Sequence, residues 1–557
     1  MDDPGNERQT SRLRGFSTVS LLTLLSRITG LARDALMASV FGTGMLLDGF
    51  TLAFRIPNMA RRLLGDGAMA AAFLPEFVRE DRELGRSESV RLLDSVARHL
   101  AIILLSIIVP AESVLLLWRF GLPVTDRVAI VLELTAILLP FMLMVCLTAL
   151  VGAALNSIHR FRIAAFTPVL LNLTWLIAGS LLALTSISIA WQIRLISAAI
   201  VAGGLLQLVV SVIAAGKAGI AMRWPWQVLE DEDLRRRRRR VFAVIIPALA
   251  GLSLSQVNAL VDAGLAWGLA STSGTASQQP GEIHHRQAAS HDAFADPFSG
   301  RHWHFQEGTA SALYLGQRLF QFPMGVFGIA LGTVLFPRFA RHAAAGRRDE
   351  FASDIHYGLR LVILIGIPAS LGLWLLAEPI ARLLFQRGRF DEHAVHLTAS
   401  MIAIHGVGVW IFSALLITHR AFYADSDQLT PIRQGVICVI LNLILDIVLI
   451  PVLHEQALPW ATNMATLGQL MLAMFVLHRR GLLPHFVPLC GLFLRSAVAA
   501  SVMFLAGSLI LSQLPSAPGG TAGRLLLVAV PITGCVATYF ATLSLMRFRW
   551  REMTGES

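Results

Sequence analysis

Cysteine is almost missing from this chain: four residues in 557, at Cys146, Cys438, Cys490 and Cys535. They are scattered through apolar stretches with no CxxC spacing, which excludes a disulfide framework and a zinc site of the usual kind. Lysine is rarer still, Lys217 being the only one among 46 basic residues. Charge of either sign is scarce, at 15% of residues against 55% hydrophobic ones, with a mean hydropathy of +0.64. That balance excludes the soluble classes and leaves a polytopic membrane protein. The net charge of +10 does not point to nucleic acid, because the arginines lie in short clusters between apolar runs. No catalytic triad or metal-hydrolase motif is visible, so a transporter is expected and an enzyme is not. The polar start, MDDPGNERQTSRLRG, leads into an apolar run with internal charges and no small-residue cleavage site, which reads as a retained first span.

What is present is a series of apolar runs. A helix needs about 20 such residues to cross the hydrocarbon, and about fourteen runs qualify, predicting an all-α fold. They fall near 17–38, 46–64, 93–118, 128–151, 163–184, 189–215, 241–270, 309–335, 356–377, 394–417, 433–452, 458–478, 490–512 and 524–546. With the N-terminus inside, roughly thirty basic residues flank the cytoplasmic ends and roughly eight the other side. Both termini are therefore expected in the cytoplasm. The arginine run Arg235–Arg240 then serves topology and anionic-lipid attraction. Residues 271–308 form a polar external loop bearing His284, His285, His291, His302 and His304, whose spacing is too loose for a metal site.

A weak internal repeat divides the chain. Phe73-Leu-Pro75-Glu-Phe77-Val-Arg79 echoes Leu335-Phe-Pro337-Arg-Phe339-Ala-Arg341 at an offset of 262, and Thr167-Pro168 echoes Thr430-Pro431 at 263. Two six-helix lobes of like orientation follow, with a substrate site expected between them. The expected division is a cytoplasmic tail 1–16, an N-terminal lobe 17–216, a basic linker 217–240, a C-terminal lobe 241–480, and two further spans within 490–547.

The charges inside the spans carry the functional signal. A charge at the centre of a membrane helix costs roughly 3 kcal/mol, so it is expected to face water, a ligand or a partner. In the first span Arg27 and Asp34 are seven apart and nearly eclipsed, with Arg33 about 120° round the helix and Gly30 between as a flex point. In the second, Asp48, Arg55 and Arg62 recur every seven residues, beside Asn58, Asp66 and Arg61, and Pro57 is expected to kink the helix. In the eighth, Ser311, Tyr314, Arg318 and Gln321 share one side, and Arg318 matches Arg55 at an offset of 263. Guanidinium forks suit a phosphate, so an anionic cargo is expected. The bland alternative is a set of structural ion pairs. A second polar set, Asp262, Asn442, Asp446, Thr462 and Thr466, offers oxygens that suit a small hard cation, or else interhelical hydrogen bonds.

The run Ser26-Arg27-x-x-Gly30-x-x-Arg33-Asp34, then Phe41-Gly42, Asp48-Gly-Phe50, Ile56-Pro57-Asn58 and Arg61-Arg62, resembles the MurJ (MviN) lipid II flippases. Gly152-Ala-x-x-Asn156, Arg160-Phe161, Arg318-Leu-x-x-Phe322-Pro323 and Gly328-x-Ala-Leu-Gly332 extend the resemblance over nearly the whole chain. It implies a two-lobed exporter of the multidrug/oligosaccharidyl-lipid/polysaccharide superfamily, with the last two spans forming a groove for a polyprenyl tail. It implies transport roles for Arg27, Arg33, Arg61 and Arg318 and cavity roles for Asp48, Asn58 and Ser311; some members bind sodium at positions that look like Asp262, Asn442, Asp446 and Thr462, and no cofactor is expected to be required. Asp66 and Gln321 stand where the family often has Glu, and Gln317 where Asp is common, so the surroundings of Arg318 are less acidic here. The expected function is flipping of lipid II, the undecaprenyl-diphosphate-linked peptidoglycan precursor, to the periplasmic leaflet. Membrane lipids and cell-wall synthesis proteins are the expected partners. The alternatives are a flippase for another polyprenyl-diphosphate glycan and a membrane-embedded glycan transferase or ligase.

Overall fold

Backbone in lipid has no water to bond, so a spanning segment satisfies its N–H and C=O groups by coiling. The computed structural model describes residues 4–63, 69–222, 230–270, 305–483, 487–515 and 520–546. Among them no strand forms; one isolated bridge joins Ala270 to Phe305. Asp66 and the five loop histidines lie outside the described residues.

The helices run α1 (Pro4–Phe41), α2 (Met45–Ala60), α3 (Met69–Glu83), α4 (Arg86–Gly121), α5 (Asp126–Ser157), α6 (Phe161–Ala183), α7 (Ile189–Lys217) and α8 (Glu232–Gly268). There follow α9 (Thr309–Pro323), α10 (Ala330–Ala344), α11 (Arg348–Leu375), α12 (Ala377–Phe385), α13 (Glu392–Val407) and α14 (Val409–Ala424). Last come α15 (Leu429–Leu453), α16 (Ala457–Arg479), α17 (Val487–Gln513) and α18 (Gly520–Leu545). Every expected span falls on one of these helices or on a joined pair. Among the described residues nine segments are long and apolar enough to cross a bilayer, or ten with α13 and α14, which meet at a 41° bend. One of the nine, Leu429–Arg479, contains both α15 and α16.

Local chemistry sets several boundaries. Thr125 caps α5 by accepting from the Val128 N–H, and Asp391 caps α13 by accepting from the Ala394 N–H. A π-helical stretch, Met324–Ile329, follows Pro323 and joins α9 to α10. Residues 61–63 prolong α2 in the same π form, four residues after Pro57. There the proline loosens the ladder rather than ending the helix. Four helices reach beyond the expected spans: α1 begins at Pro4, α3 and α12 are short extra helices, and α8 begins at Glu232 and takes in the arginine run.

The chain forms two compact units, Met1–Phe41 with Met45–Gln256, and Gly42–Gly44 with Val257–Ser557. The division falls inside α8. In the first unit α5 packs against α2, α4 and α7, and α1 lies on α6. Its centre is aromatic: Phe50 and Phe54 of α2, Phe141 of α5 and Trp175 of α6 are all buried. Gly204 lets α7 close on α5, since a Cβ there would sit 2.6 Å from the Phe141 ring. Small residues at crossings replace the hydrophobic drive that lipid removes.

In the second unit α9 packs on α13, α15 on α16, and α11 on α14 and α17. α17 and α18 are tied to α11 by Tyr539, whose hydroxyl donates to the Leu364 carbonyl at 2.8 Å and lies 2.8 Å from Ser496 Oγ. Around them Leu364, Ile367, Ala499, Ala500, Met503 and Leu543 form one buried cluster. Residues 305–308, expected to belong to the external loop, are instead built into this unit. Phe305 is buried and its N–H donates to the Leu269 carbonyl at 2.7 Å.

Candidate functional site

The charges of α1 do not pair as their spacing predicts. Asp34 bonds its neighbour Arg33, through Nη2 at 2.7 Å and Nε at 3.0 Å, and not Arg27. Arg33 and Asp34 are 5% and 3% exposed, whereas Arg27 is exposed. The reason lies on α6. Asn172 accepts from Arg33 Nη1 at 3.0 Å and donates to the Ser26 carbonyl at 3.0 Å and to Thr29 Oγ1 at 3.2 Å. The Arg33 guanidinium also lies over the Trp175 ring, 4.3 Å from its centroid. Helix α6 thus draws Arg33 into the unit, and its carboxylate goes with it. Asn172 and Trp175 were not singled out from the sequence. An amide and an indole three residues apart on an apolar helix are the available signal, and it does not say which cation they meet.

On α2, Asp48 is fully buried in the first turn, where the helix dipole favours a carboxylate. Arg55, Asn58, Arg61 and Arg62 are half-buried. Asn58 accepts from Arg61 Nε at 3.1 Å, one turn away. The Ala60 carbonyl faces the buried Cys146 thiol at 3.9 Å, so the loosened end of α2 is met by a weak donor.

The second unit holds the α9 set. Ser311 is buried and its hydroxyl donates to the Gly308 carbonyl at 3.0 Å, one turn back. Gly308 has φ +94°, and a Cβ there would lie 2.7 Å from Thr43 Cβ, so only glycine starts this helix without strain. Tyr314, Gln317, Arg318 and Gln321 are half-buried along the same helix.

The oxygen cluster assembles as expected within this unit. Asp262 of α8, Asn442 and Asp446 of α15 are each at most 1% exposed. Asn442 Nδ2 donates to Asp262 Oδ1 at 3.1 Å and to Asp446 Oδ2 at 2.8 Å. Thr462 of α16 donates to Asp262 Oδ2 at 3.1 Å. Thr466 is turned away and donates to the Thr462 carbonyl at 2.7 Å. Two buried oxygens, Asn442 Oδ1 and Asp446 Oδ1, have no hydrogen-bond partner. Two carboxylates sharing one amide, with acceptors left over, fit a hard cation better than a closed hydrogen-bond set. A second trio, Glu378, Glu392 and His396, has ligand atoms within 4.8 Å of one another, but Arg382 already bonds both carboxylates.

The arginine run of α8 makes ion pairs with acidic residues elsewhere in the unit. Arg237 is buried and bonds Glu80 of α3 at 2.6 Å and Glu88 of α4 at 3.1 Å. Arg238 bonds Glu230 at 3.3 Å, and Arg240 lies 3.3 Å from Glu76. Burial pushes the Glu80 carboxyl above its usual range although Arg237 opposes it. At Glu230 burial pulls the same way, but Ser95, Arg238, His99 and Arg98 outweigh it and hold the group low. In the loop before α15, burial raises Asp427, yet the Thr430 hydroxyl and N–H and Arg480 bring it down to about 2.

A family model described as lipid II flippase MurJ matches residues 37–280 and 291–528. A probable lipid II flippase MurJ of Rhizobium tropici is 31% identical over 482 residues, covering 85% of this chain and 82% of that protein. A lipid II flippase MurJ of Burkholderia cenocepacia is 27% identical over 557 residues, covering 96% and 98%. In fold the chain is similar to a solved lipid II flippase MurJ in an inward closed conformation (TM-score 0.73, 20% identity, 96% and 99% covered). It is also similar to an inward-facing multidrug MATE-family transporter of the MOP superfamily (TM-score 0.58, 12% identity, 84% and 97% covered).

Proposed function

The chain belongs to the lipid II flippase family MurJ, a family of transporters and not of enzymes, and we propose that it carries lipid II from the cytoplasmic to the periplasmic leaflet by alternating access. The cargo is the undecaprenyl-diphosphate-linked disaccharide-pentapeptide. Its diphosphate is gripped by arginines, Arg27, Arg61 and Arg318 first. Arg33 joins them on leaving Asp34, and Asp34 and Asp48 compete for the cations as the cargo departs. Arg55, Asn58, Arg62, Ser311 and Gln321 complete the polar lining. Gly30 and the π-form turns after Pro57 and Pro323 supply the bending.

The observation that carries this reading is the presence of arginines inside the apolar runs of α1, α2 and α9. A cation is kept in hydrocarbon for a partner, and a diphosphate offers more negative charge and more acceptor oxygens than a single carboxylate. α17 and α18 line the path of the polyprenyl tail. Both termini are cytoplasmic, by the bias of basic residues. Asp262, Asn442, Asp446 and Thr462 fit a sodium ion, whose charge would offset the two buried carboxylates. Surrounding membrane lipids and cell-wall synthesis proteins are the expected neighbours.

The test is proteoliposomes with fluorescent lipid II in the inner leaflet. Arg318→Glu, folded by its thermal midpoint, is expected to lose flipping. Full flipping by that variant overturns the arginine grip. Transport of another polyprenyl-diphosphate glycan in place of lipid II reassigns the cargo. The glycan transferase alternative has no support in a transporter family.

A further inference from the structure

Trp175 is held as firmly as the cation it faces. Its Nε1 lies 3.2 Å from the Met37 sulfur. Phe50 and Phe54 meet the indole edge-on, with ring centroids 5.4 and 5.2 Å away. Phe54 in turn rests on Phe141 at 6.1 Å. Arg33 therefore has a ring set beneath its plane, Asn172 at one edge and Asp34 at the other. Asn172 has no freedom to follow Arg33 elsewhere without giving up its bonds to the Ser26 carbonyl and Thr29. The charge of Arg33 is cancelled by Asp34 and its face is covered, so it is withheld from a diphosphate in this conformation.

We infer that Trp175 and Asn172 are positioning residues that form a seat for Arg33, holding it off the cargo in this conformation and taking it back when the cargo leaves. This rests on the proposed transport of a polyprenyl diphosphate. A cation over an aromatic face is favoured most where it is desolvated, and Arg33 is 5% exposed. The diphosphate gains Arg33 only by drawing it from the seat. The seat therefore lowers affinity for the cargo and speeds its release. Neither residue touches the cargo.

The experiment uses the full chain in lipid nanodiscs with farnesyl diphosphate as probe and farnesol as control, followed by flipping of labelled lipid II in proteoliposomes. Trp175→Leu and Asn172→Leu are expected to bind farnesyl diphosphate about five- to tenfold more tightly and to flip more slowly at saturating lipid II. Trp175→Phe, which keeps a ring face, is expected to return the affinity toward the wild-type value. Unchanged or weaker affinity in the leucine variants, with only a lower thermal midpoint, overturns the seat and leaves a packing role. Asn172→Leu decides the outcome if Trp175→Leu does not fold. Failure of the wild-type chain to prefer farnesyl diphosphate over farnesol removes the arginine-held diphosphate itself, and the seat with it.

Discussion

The Arg237 guanidinium lies 2.6 Å from a Glu80 oxygen, 157 residues away in sequence, and both side chains are under 10% exposed. A residue that reads as part of a solvated arginine run is the buried pin between α8 and α3, with Glu88 of α4 as its second partner. Breaking such a pair by removing one member leaves the other charge buried. Arg237→Ala is expected to destabilise the protein by about 3 kcal/mol. Arg236→Ala, at an exposed neighbouring position, is expected to have almost no effect. Thermal unfolding in detergent checks the difference, and Glu80→Gln combined with Arg237→Gln is expected to restore part of the loss.

Acid sensitivity follows from Asp427. Its folded value near 2 lies below the usual 3.9 of an aspartate. The stabilisation is therefore fully present above about pH 4 and is lost as pH falls toward 2. Arg480, its partner, is 34% exposed, so solvent screening leaves about 1 kcal/mol. The difference in stability between wild type and Asp427→Asn, followed from pH 6 down to 3, is expected to shrink over the lower part of that range. A constant difference refutes the linkage.

Sodium binding is tested without transport. Sodium over potassium is expected to raise the thermal midpoint, with about 2.7 kcal/mol gained at a hundredfold excess over Kd. Asp262→Asn and Asp446→Asn are expected to abolish the sodium dependence, while Thr466→Val, whose hydroxyl bonds its own helix, is expected to keep it. Equal midpoints in both salts remove the ion from the site.

Close helix crossings supply a packing prediction. A Cβ at Gly316 would lie 2.8 Å from Met401 Cβ and 3.0 Å from its carbonyl carbon, so backbone must move. Gly316→Ala is expected to cost 1 to 3 kcal/mol, about the usual penalty for overpacking. Gly264→Ala on α8, where a Cβ would meet nothing within 4 Å, is expected to be neutral or mildly stabilising. Thermal midpoints of the two variants decide the matter.

Much of the architecture was legible because membrane insertion is a local property. Each apolar run of about 20 residues must become a helix whatever its neighbours do. Thus α4 to α7 and α15 to α18 lie where the hydropathy places them. The oxygen cluster was legible for a related reason: Asn442 and Asp446 are four apart on one helix face, and an acid at Asp262 in an apolar helix needs such company. What failed was pairing. Helical spacing put Asp34 beneath Arg27, but a long arginine side chain reaches whatever its neighbouring helix offers, and α6 offered Asn172 and Trp175 to Arg33.

The sequence by itself determined that this chain lives in a bilayer, that its basic residues are nearly all arginine, and that some of them are placed at membrane depth. These follow from hydrophobicity and helical period, which need no knowledge of neighbours. Only the tertiary structure decided which cation is buried and paired and which is exposed: Arg33 over an indole, Arg237 between two glutamates, Arg27 at the surface. The physical reason is that a guanidinium settles by competition among partners, and those partners come from helices far away in the chain.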